Sequence, residues 1–320
     1  MRRDLHGMSF GTRLGFAVAI SAGLLGASSG CKRTMASAPP EKVRMLTGVF
    51  SEPWTAFADY VNARTSTFQI TVVANTDRSK IIPALQQGTD QIGVVAADIG
   101  YPAYQREIAT NPSHTKLRGI AVIGSNKLYV IVRADSAIYR VSDLRGKRVA
   151  YSASERLAGP TLRSYGLQPS DVVTLVRTDD EMITDIEHDR IDAAFLGVRI
   201  ESVSPLNRLT NVRALPVEHR AINELVSQYS FVKPVKVVVG ELSGQQEPIE
   251  TVGTDALLVC RDDLGDKLVY ELTTLLFEWL SRGETGLEAW RRVDPESGPA
   301  TPIPLHPGAA RFYRAREILR

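Results

Sequence analysis

The chain has 320 residues, with 38 Lys plus Arg against 36 Asp plus Glu, for a formal charge of +2. So small a balance leaves neither the basic field that holds nucleic acid nor an acidic tail. A hydrophobic content of 43% supports a packed core, and the length suits two domains or one large one.

Arg2, Arg3 and Arg13 make a basic start, and Leu14–Ala27 (LGFAVAISAGLLGA) is an apolar run without charge. That run is too short to cross a hydrocarbon core as a helix, which needs about 20 residues. It has the form of a secretory h-region, and Ser28-Ser29-Gly30 supply the small residues of a cleavage site. Residues 1–30 therefore read as a signal peptide. Cys31 directly after them resembles a lipobox cysteine, which would become a lipidated N-terminus; simple secretion with an incidental cysteine is the alternative. Either route puts the protein outside the cytoplasm. The three arginines and Asp4 leave with the signal, so the remaining chain is neutral. With Cys31 lipidated, Cys260 has no disulfide partner, and its place in the run ALLVC reads as a buried, inert thiol.

Residues 31–41 form a Pro/Ala/Ser tether that would hold a globular body off the membrane. Strand and helix signals then alternate. Strands are expected at Val43–Gly48, Phe68–Ala74, Gln91–Ala96, Leu117–Ile123 and Lys127–Arg133, with helices at Trp54–Arg64 and Ser79–Gln87. A second cycle places strands at Arg148–Tyr151, Val172–Val176 and Ile191–Gly197, with a short helical turn at Val141–Gly146. Its helices are Gly159–Tyr165 and Asp180–Asp189. Val212–Val217 and Val235–Val239 read as extended, flanking a helix over Glu218–Tyr229. Thr254–Arg261 reads as a late strand. Leu264–Ser281 follows as the clearest amphipathic helix, with Leu268, Leu272, Leu275, Leu276 and Trp279 on one stripe. Two more short helices close the chain. Such alternation predicts an α/β fold with parallel strands and crossovers. The late strand predicts two lobes: residues 42–130 and 255–320 as lobe I, 131–254 as lobe II. Lys127–Arg133 and Thr254–Arg261 would cross between them.

Several segments resemble one family. Leu144–Ala150 (LRGKRVA), Val130–Ser136 (VIVRADS), Ile191–Phe195 (IDAAF), Ala256–Asp263 (ALLVCRDD) and above all Pro302–Tyr313 (PIPLHPGAARFY) are similar to the TAXI family. These are the solute receptors of one branch of TRAP transporters, and the order agrees from about Val43 to Tyr313. The resemblance implies a two-lobed periplasmic-binding-protein fold, a small polar solute such as an amino acid or organic acid in the cleft, and TRAP membrane subunits as partners. The loops Thr47–Trp54, Asn75–Ser79 and Val198–Glu201 depart from the family pattern. A lipoprotein of the same fold that senses a ligand or docks another envelope protein is the alternative.

Loops after strands and at helix starts supply the candidate ligand-binding residues. Ser51 and Thr55 stand at a helix start, where Ser51 either binds a ligand oxygen or caps its own helix. Asn75 and Ser79 pose the same choice. Asp98 and Tyr101 follow the third strand. In the second lobe Ser152, Ser154 and Arg156 follow one strand, and Arg199 and Glu201 another. Arg156 and Arg199 are candidate carboxylate forks, with Glu201 able to neutralise Arg199 or receive an amine. The motifs HExxH, CxxC, GxGxxG and the P-loop do not occur, and the five histidines, His6, His114, His188, His219 and His306, are scattered. Neither catalysis, nor a metal, nor a cofactor is expected.

Overall fold

The computed structural model describes residues 39–48, 51–75, 77, 80–110, 116–200, 205–283 and 293–319. The expected signal peptide, Cys31 and most of the tether lie outside these residues, as do Ser79 and Glu201. The first half runs β1 (Glu41–Thr47), α1 (Glu52–Asn62), β2 (Phe68–Ala74), α2 (Ile81–Gln87), β3 (Ile92–Ala96), α3 (Ala97–Thr110) and β4 (Leu117–Arg133). The second α/β cycle runs β5 (Arg148–Tyr151), α4 (Ala158–Ser164), β6 (Val173–Val176), α5 (Asp179–Glu187) and β7 (Ala193–Val198). Then come β8 (Val212–Leu215), α6 (His219–Gln228), β9 (Val232–Val237), β10 (Ile249–Arg261), α7 (Asp266–Ser281) and α8 (Pro307–Ala315). Among the described residues no helix is long and apolar enough to cross a membrane.

Among the described residues ten strands form one mixed sheet in the order β2-β1-β3-β10-β4-β7-β5-β6, with β8 on β4 and β9 on β10. β1 pairs in parallel with β2 and β3, and β5 in parallel with β6 and β7. The two long strands β4 and β10 run antiparallel to each other through the middle. Each α/β crossover has thus produced a parallel block, and the long pair joins the blocks.

The core divides along the same line. One group packs α1, α7 and α8 on one face of the first block: Trp54, Phe57, Leu272, Leu276, Phe312 and Tyr313 are almost wholly buried. Each such large side chain contributes about 1.5–3 kcal/mol by leaving water. Phe57 and Trp279 meet with centroids 5.2 Å apart, and Phe277 stacks on Phe312 at 5.5 Å. A second layer, with Ile81, Leu85, Val95 and Ala103, covers the other face. The second block has its own two layers, around Leu162, Phe195 and Leu225 on one side and Met182, Ile186 and Leu196 on the other. The leucine stripe expected of Leu264–Ser281 is the buried face of α7.

Two elements differ from the sequence expectation. The two strands expected at Leu117–Ile123 and Lys127–Arg133 are one continuous β4. The turn-forming residues Gly124-Ser125-Asn126 stay in the ladder because β10 pairs with them from Asp255 and Thr254 to Ala256. Gly124 takes φ +133°, beside the register shift after Ala256. α3 was not expected at all, since Gly100 and Pro102 weaken helical propensity; burial of Ala97 and Ala103 on the sheet decides the matter. Of the two closing helices, α8 is present among the described residues, and residues 284–292, which follow α7, lie outside them.

Candidate functional site: a cleft at the strand ends

Parallel strands point their C-terminal ends, and the loops that follow, toward one edge of a sheet. Four such ends meet at one cleft of about 750 Å³. β3 runs into Asp98 at the start of α3, and β5 into the Ser152–Leu157 turn. β6 leads to Asp179 at the start of α5, and β7 to Arg199. The central strands contribute Asn126, Lys127 and Leu128 from β4 and Thr254 from β10.

Local sequence fixes each of these positions. The Glu155 backbone N–H donates to the Ser152 carbonyl at 3.0 Å, closing the turn after β5. The Ser152 and Ser154 hydroxyls lie 3.2 Å apart within it. Glu155 Oε1 then accepts the Leu157 N–H at 2.6 Å, which points its carboxylate back under the loop. Oε2 lies over Gly197, where a β-carbon would collide with it, so the glycine at the end of β7 makes the seat for this side chain. Asp179 is held by a reciprocal cap at the start of α5. There the Glu181 N–H donates to Thr178 Oγ1 at 3.3 Å, and the Thr178 N–H donates to Glu181 Oε2 at 2.8 Å. Lys127 Nζ donates to Glu241 at 2.7 Å, and the Tyr129 hydroxyl donates to the same carboxylate at 2.7 Å. The long strand and the loop after β9 are thereby tied together.

Charge in the cleft is concentrated. Arg156 Nε stands 3.7 Å from Asp98 Oδ2, a pair that joins the turn after β5 to the start of α3. Burial pushes the Glu155 carboxyl up to about 7; the charges of Asp98 and Asp179 add to the rise, while Arg199 and the Leu157 N–H oppose it. Burial likewise raises Asp179, against the pull of Arg199. Among the described residues no group of three or more His, Cys, Asp or Glu side chains could hold a metal ion. The arrangement can orient a charged solute; nucleophile–base pairing of the kind that catalysis needs was not among the motifs found.

Of the residues singled out from the sequence, Asp98, Ser152, Ser154, Arg156 and Arg199 line the cleft. Ser51, Thr55, Asn75 and Tyr101 are not among its lining residues. Thr55 Oγ1 donates to the Ser51 carbonyl at 3.1 Å, and the Ser51 side chain makes no capping bond. Asn75 Oδ1 accepts the Asp77 N–H at 2.9 Å, a local turn. Tyr101 sits half-buried on α3. Ser79 and Glu201 lie outside the described residues. Sequence reasoning passed over Glu155, Asp179, Lys127 and Gly197. Asp179 and Glu155 obey the same strand-end rule and could have been found by it.

The fold recurs in solved structures. The periplasmic aliphatic sulphonate binding protein SsuA from Escherichia coli matches with TM-score 0.50 and 16% identity, covering 87% of this chain and 88% of that one. XAC2383 from Xanthomonas citri, bound to chloride ion, matches with TM-score 0.51 and 14% identity, over 86% and 99% of the two chains. The ATP-bound structure of XAC2383 matches with TM-score 0.51 and 14% identity, over 88% and 100%. The architecture is thus the two-lobed α/β fold of periplasmic binding proteins; the alternation of strands and helices pointed to the α/β class, and the family resemblance implied this fold. Residues 47–316 match the family model described as the NMT1-like family, a span that takes in every element after β1 and all the residues that line the cleft; the chain belongs to that family.

Proposed function

We propose that this protein is an extracytoplasmic solute-binding protein of the TAXI type. It captures a small polar, carboxylate-bearing solute in the cleft and passes it to the membrane subunits of a TRAP-type transporter. The observation that carries this reading is the cleft itself. Its volume of about 750 Å³ is that of a small-molecule site, and loops from both parallel blocks line it. The fold likeness to a sulphonate-binding protein supports binding as its purpose. We take residues 42–130 and 255–320 as lobe I and 131–254 as lobe II, with β4 and β10 as the crossing strands; the division of the core into separate groups supports two lobes, although Leu128, Tyr129 and Val130 pack with lobe II and Ile200 with lobe I. Arg199 and Arg156 on lobe II would hold the carboxylate. Cys31, lipidated, would keep the protein at the membrane.

A thermal-shift screen of amino acids, dicarboxylates and oxo acids tests the reading, because a solute bound only by the folded state raises the melting temperature. At least one should do so. Charge-assisted bonds are worth roughly 1.5–3 kcal/mol each, so Arg199→Ala should weaken that solute about ten- to a hundredfold. A screen without any stabilising solute overturns the binding reading, and an Arg199→Ala variant with unchanged affinity removes the carboxylate grip. Cys31→Ser should move the protein from the membrane to the soluble fraction; unchanged fractionation rules out the anchor.

A further inference from the structure

The two walls of the cleft differ in kind. Ile82 and Pro83 of α2 with Ile99 and Ala103 of α3 give one wall a hydrocarbon stretch, flanked by Gln86 and Arg106 of the same helices. Facing it, the turn after β5, the start of α5 and the end of β7 present Glu155, Arg156, Asp179 and Arg199. The first wall offers a solute dispersion contacts along that stretch; its polar groups are Asp98, Arg106 and Gln86, whose amide already donates to Glu107 at 2.6 Å. The second offers charge together with the hydroxyls of Ser152 and Ser154.

The charge on that second wall is not the simple positive field that an acid-specific receptor needs. Arg156 already faces Asp98 at 3.7 Å. Arg199 acts on both Glu155 and Asp179. Three carboxylates thus stand against two guanidinium groups, an excess of one negative charge. Over the whole described lining four carboxylates meet four cations, so the excess is local to this wall. Lys127 is bound to Glu241, and Asp77 and Arg106 are of opposite sign. Glu155 is the carboxylate whose place is most specifically built. One oxygen is fixed by the Leu157 N–H, and the other fits only because residue 197 has no β-carbon. Burying an anion beside two others is unfavourable unless a positive group completes the set.

Resting on the solute-binding reading, we propose that the solute carries a protonated nitrogen on a hydrocarbon body. The nitrogen completes the Glu155 set, the body lies along α2 and α3, and Glu155 is the residue that selects for the nitrogen. A carboxylate on the same solute would still meet Arg199. A dianion without a nitrogen is rejected, because it brings negative charge to a wall already negative. Capture is also pH-dependent. The groups that face Glu155 are Asp98 from α3, Asp179 from α5, Arg199 after β7, and its own neighbours Arg156 and the Leu157 N–H. With the Glu155 carboxyl at about 7, its ionised fraction rises from about one-tenth at pH 6 to about nine-tenths at pH 8, so affinity for the nitrogen rises up to about tenfold.

Matched probe sets on isobutyl, benzyl and indolyl bodies test this: in each, the amino acid, its decarboxylated amine and its deaminated acid, with succinate as the dianion. Dissociation constants would be measured by calorimetry on the full folded chain at pH 6 and pH 8, for the wild type, Glu155→Gln and Gly197→Ala. In at least one set the amine-bearing probes should bind about tenfold or more tighter than the deaminated acid, and tighter at pH 8. Glu155→Gln should abolish both the preference and the pH dependence. Gly197→Ala, which keeps the carboxylate but displaces it, should weaken the same probes. Tighter binding of succinate or of the deaminated acids overturns the nitrogen requirement and leaves solute binding standing. Amine binding unchanged in Glu155→Gln overturns the role of that residue. Failure of every probe to bind overturns both readings.

Discussion

Replacing Glu155 by Gln should make the protein more stable, and more so as pH rises. The carboxyl titrates near 4.5 in the unfolded chain and at about 7 in the folded one, mainly because the folded site withholds water from it. Between these values the unfolded chain gives up its proton first. The folded state then binds more protons than the unfolded state, and stability falls with increasing pH. The loss begins near pH 4.5 and is complete just above pH 7. At 1.36 kcal/mol per pKa unit, and allowing for the partial solvent access of the side chain, the wild type forfeits about 2–3 kcal/mol at pH 8. Glutamine keeps an oxygen for the Leu157 N–H and carries no charge, so it escapes the penalty. Urea unfolding of both proteins from pH 4.5 to pH 8 would read the difference. It should grow from near zero to about 2–3 kcal/mol, most of it before pH 7. A difference independent of pH, or a wild type that is the more stable at pH 8, refutes the argument that Glu155 is held at a cost to folding. A costly buried carboxylate at the floor of a cleft is what a binding role predicts.

Two further predictions concern the scaffold. Gly124 lies in β4 at φ +133°, and a β-carbon there would run into the Ile200 side chain; Gly124→Ala should cost about 2–4 kcal/mol in urea unfolding, combining backbone strain with overpacking, and an unchanged midpoint would show that β4 relaxes freely at this point. His306 is wholly buried, and its Nδ1 accepts the Gly308 N–H at 3.2 Å as the cap of α8. Burial lowers its pKa from 6.5, although Asp266 pulls the other way. Above pH 6.5 both states are neutral there; below it the unfolded chain takes up the proton and the folded one resists, so this contribution is lost as pH falls from 6.5. His306→Asn keeps a capping oxygen and does not titrate, so its stability should decline less than that of wild type between pH 7 and pH 5.5; equal slopes would exclude His306 as an acid-sensitive group.

Much of this fold was legible in the sequence because its signals are local. A strand such as Phe68–Ala74 or a helix such as α7 reports its own period, and the parallel blocks follow from the alternation of such segments. The strand-end rule then located Asp98, Ser152, Ser154, Arg156 and Arg199, since it needs only the order of elements. Where competing signals met, locality failed. Gly100 and Pro102 hid α3, and the turn-like Gly124-Ser125-Asn126 hid the continuity of β4, because the packing and pairing that override them come from distant segments. The character of the cleft was hidden for the same reason. Arg156 and Arg199 each read, alone, as a free anion grip. Tertiary structure sets Asp98 against the first and Glu155 and Asp179 around the second. The sign of the charge that a solute meets is a sum over side chains from separate loops. The sequence named several members of that sum, and only the folded arrangement decided that, among the described residues, carboxylates outnumber guanidinium groups around Glu155.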